Sequence, residues 1–113
     1  MAIDKKIGEY QITVVGKANG DIEIPANHRY VITMATYRGN LEDNGFDLYM
    51  EVCTFKDAGH LETISNKLIP GDQLHIDLGS TLPSGDIDAV AKAQLEAWMD
   101  AQGDIGSNWT EIS

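Results

Sequence analysis

The chain has 113 residues, 42% of them hydrophobic, with one cysteine and 18 acids against eight lysines and arginines, for a net charge of −10. That length and apolar share describe one folded domain and not a disordered chain, and the lone Cys53 makes no intrachain disulfide. Among the bases only Lys5 and Lys6 adjoin, which excludes direct nucleic-acid binding and an anionic membrane surface as modes of action.

The start, Met-Ala-Ile-Asp-Lys-Lys, has no apolar run after its lysines, so no secretory signal is expected. No stretch approaches the roughly 18–20 apolar residues that span a bilayer. The protein is expected to be cytoplasmic on synthesis. Residues 9–16, Glu-Tyr-Gln-Ile-Thr-Val-Val-Gly, alternate as a strand with Tyr10, Ile12 and Val14 on one face. Asn19-Gly20 predicts a tight hairpin turn. Ile22 and Ile24 then alternate with Asp21 and Glu23, and Pro25 ends that short strand.

Tyr30 to Tyr37 is rich in β-branched and aromatic residues and reads as a strand. Asn44-Gly45 is a second hairpin signal. The cleanest strand follows, Phe46 to Phe55. Phe46, Leu48, Met50 and Val52 line one face; Asp47, Tyr49, Glu51 and Cys53 line the other. Residues 56–68 begin with a turn and leave two options, a short helical face through Leu61, Ile64 and Leu68 or an irregular edge strand. Pro70-Gly71-Asp72 predicts a turn. After it, Leu74, Ile76 and Leu78 alternate with Gln73, His75 and Asp77 as another half-exposed strand.

A helix is predicted over 84–102, capped by Ser84 or Asp86, with Gly103 at its C′ position. Ile87, Val90, Ala91, Leu95 and Trp98 form its apolar face. Asp88, Lys92, Glu96 and Asp100 recur four apart on the opposite face. Residues 104–113 read as a tail anchored by Trp109. The expectation is a single mainly β domain over 1–103 with one C-terminal helix (α+β). It takes the form of a small antiparallel β-sandwich or curled sheet, with the amphipathic helix packed on it.

Residues 69–113 hold eight acids and one base, so seven of the ten net negative charges lie there. The carboxylate row Asp88, Glu96, Asp100 and Asp104 is a candidate partner-binding face. Repeated carboxylates on a helix imitate the phosphates of nucleic acid and block a basic groove, which makes a small acidic inhibitor one reading. Tyr37 and Tyr49, placed on the outward face of neighbouring strands, are a second candidate contact patch. His75 and Asp77 share a strand face and suit a metal site or a base with its orienting acid, but a third ligand must come from the distant His28 or His60. An exposed polar strand face explains them more simply. Cys53 lies mid-strand without a glycine-rich elbow, so it is not read as a nucleophile. No phosphate loop or EF-hand pattern occurs. No cofactor, metal or catalytic residue is therefore expected.

The stretch Asp21-Ile-Glu-Ile-Pro-Ala-Asn-His-Arg-Tyr-Val-Ile-Thr33, with the later Pro70-Gly71-Asp72 turn and the strand Gln73 to Leu78, resembles small β-sandwich virion proteins of tailed bacteriophages. The resemblance covers roughly residues 20–80. It implies a non-enzymatic structural or attachment role through protein–protein contacts. It further implies virion components as partners, a homo-oligomer and a final place in the virion. It assigns no functional residue.

Overall fold

The computed structural model describes residues 6–17, 23–40, 45–64, 69–103 and 105–112. The chain order is β1 (Gly8–Ile12), β2 (Gly16–Lys17), β3 (Glu23–Ile24), β4 (His28–Asn40), β5 (Gly45–Phe55), β6 (Gln73–Gly79), α1 (Ile87–Ala101) and β7 (Trp109–Glu111). Five strands form one antiparallel sheet in the order β6-β5-β4-β1-β7. The second sheet among the described residues is the two-stranded β2–β3 ribbon. Of the two expected arrangements, a single main sheet with the helix packed on it is the one that forms. The hairpin signals Asn19-Gly20 and Asn44 lie outside the described residues.

Alternation sorts the sheet into two faces. Tyr10, Ile12, Tyr30, Ile32, Leu48, Met50, Val52 and Leu74 meet Ala91, Leu95 and Met99 of α1 in the core, together with Ile69 and Ile105. Burial of such apolar surface, worth about 25 cal/mol per Å², is what holds the helix to the sheet. Met99 completes a helix face whose other members the periodicity had already marked. Gly8 lets α1 approach β1 closely: a Cβ there would stand 3.1 Å from Cγ of Lys92.

The helix N-cap falls two residues later than the first capping candidate, Ser84. Asp86 is the N-cap, its side chain accepting from the Asp88 amide at 3.4 Å. Gly103 does not take the left-handed conformation; Gly106 does, with φ 40°. Its amide donates to Gln102 O at 2.6 Å and turns the chain back toward the sheet. Residues 109–111 are therefore not a tail outside the domain. Trp109–Glu111 is the fifth strand of the sheet, paired with β1 through Ile12↔Trp109 and Tyr10↔Glu111.

Residues 56–64 fold back on β5 as an irregular edge, with an isolated bridge Phe55↔Thr63 and Ile64 N donating to Thr54 O at 3.2 Å. Pro70–Asp72 forms the expected turn, with Gly71 and Asp72 both left-handed at φ 67° and 59°.

Candidate contact surface

The helical row of charges faces β1 and β7, which supply partners for most of it. The Tyr10 hydroxyl donates to Glu96 at 2.7 Å. Trp109 Nε1 donates to Asp100 at 2.8 Å. Lys92 pairs with Glu111. Asp88 is exposed at the helix start, and Asp104 lies outside the described residues. The face of α1 turned fully to solvent is a line of alanines, Ala89, Ala93, Ala97 and Ala101. Helical periodicity had placed the acids opposite the core correctly. It could not show that a returning strand would occupy that side.

Tyr37 and Tyr49 do not form one patch. The β4–β5 register shifts between Ile32 and Met34, so Thr33 is an extra residue in β4. A bulge of this kind moves every later side chain to the other face. Tyr37 thus packs against the core, opposite Leu48, while Tyr49 lies on the face away from the helix, opposite Thr36.

That open face carries two side-chain clusters. The first surrounds Glu9 of β1, which is 2% exposed. Its carboxylate accepts from Lys6 Nζ at 2.8 Å, from Arg29, and from His60 Nε2 at 3.0 Å. Arg29 also donates to Gln11 at 3.2 Å. Burial alone would raise the Glu9 pKa, but these donors outweigh it and hold the carboxyl at about 2, against an ordinary 4.5. A carboxylate so clamped is a poor proton acceptor at neutral pH. It ties the 56–64 segment to β1.

The second cluster runs across three strands at the β6 side. The His75 ring of β6 stacks on Tyr49 of β5 with centroids 4.4 Å apart and planes 8° apart. The Arg38 guanidinium of β4 lies 4.5 Å from the Tyr49 centroid. Tyr49 and His75 face each other directly in the register, which brings flat side chains into contact. Below the stack, His75 Nε2 lies 3.1 Å from a carboxylate oxygen of the buried Asp47, at ion-pair distance.

His75 and Asp77 thus share a strand face without sharing a bond. The acid paired with His75 is Asp47 on the next strand, whereas Asp77 accepts from the Gly79 amide at 2.9 Å. Asp47 was missed as a partner because a register between strands separated by 56–72 is not written in either strand. Cys53 is half-buried in mid-strand. Among the described residues, no three of His, Cys, Asp and Glu come together as a metal-ligand set. None of their helices is long and apolar enough to cross a membrane.

On the core side, His28, Tyr30 and Thr54 are fully buried. His28 Nδ1 donates to Pro25 O at 2.6 Å. His28 Nε2, the Tyr30 hydroxyl and Thr54 Oγ1 find no hydrogen-bond partner among the described residues.

The fold and this surface define a small antiparallel sheet with one helix-covered face and one polar, aromatic open face. No family model matches the chain, and no curated protein or solved structure matches it.

Proposed function

We propose that the chain is a non-enzymatic structural or accessory protein of the tailed-phage virion kind, acting through protein–protein contacts on the open face of its sheet. The observation that carries the contact role is the Arg38–Tyr49–His75 stack. It is ordered before any partner arrives, so little side-chain freedom remains to be lost on binding. Arg38 is exposed at one end, and the His75 side chain is 51% exposed at the other. Met34, 44% exposed, precedes Arg38 on the same face of β4. Arginine, tyrosine and methionine are the residue types enriched where proteins meet.

The phage setting rests on the resemblance of residues 21–33 and 70–78. The other reading, an acidic nucleic-acid mimic, needs a row of uncommitted carboxylates. Glu96 and Asp100 already accept hydrogen bonds within the chain, so it is not adopted.

Mass spectrometry of tailed particles purified from cells carrying the gene tests the proposal. The chain should be present at a fixed copy number, and Arg38→Glu with Tyr49→Ala should reduce its incorporation. Particles that lack the chain would overturn the reading.

A further inference from the structure

The sheet ends on one side in β6, of seven residues, and on the other in β7, of three. Hydrogen bonds across the sheet settle which way each β6 backbone group turns. Ile112 N donates to Glu9 O, and Thr13 N to Asn108 O. The odd residues of β1 therefore turn toward β7 and the even ones toward β4. An antiparallel strand alternates its bonding direction residue by residue. The registers Tyr10↔Tyr30 and Val31↔Cys53 carry this alternation to β5, whose even residues turn away from β4. The bond from Ile64 N to Thr54 O on that side agrees. Leu48↔Ile76 and Met50↔Leu74 are then the bonded pairs between β5 and β6. Gln73, His75 and Asp77 turn their N–H and C=O groups outward, where no strand pairs with them among the described residues.

Proteins commonly blunt a long edge with lysine, proline or a bulge. β6, Gln-Leu-His-Ile-Asp-Leu-Gly, has no lysine or proline, and its bulge falls near its end, at Leu78. We propose that this edge pairs antiparallel with the β6 edge of a second copy, about a two-fold axis at Ile76. The proposal rests on the protein-contact reading above and names the partner for the β6 side of that surface.

The register follows from self-complementarity, which a two-fold interface requires. An axis at Ile76 sets His75 opposite Asp77 of the second copy, and Asp77 opposite His75 of the second copy. Both are outward-turned residues, so each couple exchanges backbone hydrogen bonds. On the helix face, Ile76 meets its own equivalent, covering apolar surface that β6 leaves half-exposed. An axis at Asp77 would oppose two carboxylates, and an axis at His75 two imidazoles. Within the sheet, Asp77 already sits opposite Asp47, a like-charge neighbour that disfavours a further acid. The axis at Ile76 alone gives Asp77 a histidine.

Sedimentation equilibrium of the full chain, from micromolar to millimolar, tests the pairing. The expected result is a concentration-dependent rise from 12.4 kDa to twice that mass. His75→Pro removes an outward amide and no intrachain one, so it should stay monomeric with an unchanged far-ultraviolet spectrum. In a Cys53→Ser background, Ile76→Cys should oxidise to a covalent dimer, because a non-bonded antiparallel pair has Cα atoms about 4.5 Å apart, within disulfide reach. Asp77→Cys in the same background should not. A monomer at every concentration, a dimer that survives in His75→Pro, or cross-linking through Cys at 77 in preference to 76 would overturn the proposal. A β6 dimer absent from purified particles would support the edge pairing and remove only the virion reading.

Discussion

Tyr10 and Tyr30 face each other across β1 and β4, both fully buried, and only Tyr10 has a partner for its hydroxyl among the described residues. Burial first, and for Tyr10 also the Glu96 carboxylate, pushes both phenols well above the usual range, so both remain protonated donors. The same substitution should then have opposite effects. Tyr10→Phe strands Glu96 and should lower the unfolding free energy by about 1.5–3 kcal/mol, the range for a hydrogen bond to a charged group. Tyr30→Phe removes a buried donor that lacks a partner and should leave stability unchanged or raise it by about 1 kcal/mol. Urea unfolding of the two variants decides this. A large loss in Tyr30→Phe would show that its hydroxyl is satisfied.

The stack on the open face has a spectroscopic signature. His75 lies flat on Tyr49 at 4.4 Å, so its ring protons feel the tyrosine ring current. Tyr49→Leu should move those resonances downfield, while Tyr49→Phe should leave them in place. Such ring contacts contribute about 0.5–1.5 kcal/mol and the guanidinium over the ring about 0.5–1 kcal/mol. Tyr49→Leu should therefore lower stability by about 1–2 kcal/mol. Unshifted His75 protons in Tyr49→Leu would mean the rings do not stack in solution.

Trp109 anchors β7 twice, edge-on against Tyr10 at 5.5 Å and through Nε1 to Asp100. Trp109→Ala should lower stability by about 3 kcal/mol, as for other large aromatic deletions from packed sites. Removing 107–113 should go further and uncover the outward backbone groups of β1. Amide exchange reads this residue by residue: Thr13, whose amide donates to Asn108 O at 3.0 Å, should lose its protection in the truncated chain. Retained protection there would mean that β7 does not pair with β1.

These variants also mark where sequence and structure part. The long strands were legible because Leu48, Met50 and Val52 alternate without interruption, and the turns because Pro70-Gly71-Asp72 demands left-handed conformations. The bulge at Thr33 left no trace, since a β-branched residue in a β-branched run carries no bulge signal. Tyr37 consequently changed faces. β7, Trp-Thr-Glu, is too short to show a period of two. Its absence from the sequence reading is why the acids of α1 looked uncommitted. The contact stack was the least legible part, because Arg38, Tyr49 and His75 meet only once the register of three strands is set.

Acid should lower the stability of the fold over two distinguishable pH windows. His28 is fully buried, and burial holds its pKa below the ordinary 6.5 despite the bond to Pro25 O. A depressed histidine favours the neutral fold, so its contribution is complete above pH 6.5 and is lost as pH falls below that value. His28→Gln, which does not titrate, should flatten the stability curve there, at some cost at neutral pH. Glu9 acts lower. Its pKa falls from 4.5 to about 2 on folding, which corresponds to about 3 kcal/mol. A depressed carboxylate stabilises above its unfolded value, and that stabilisation drains away between pH 4.5 and about 2. Glu9→Gln should therefore be about 3 kcal/mol less stable than the parent at neutral pH, with the gap closing as pH drops through that window. Denaturant unfolding of both variants across the acid range checks the order. A Glu9→Gln gap that stays constant to the lowest pH would mean that Lys6, Arg29 and His60 do not hold an ionised carboxylate.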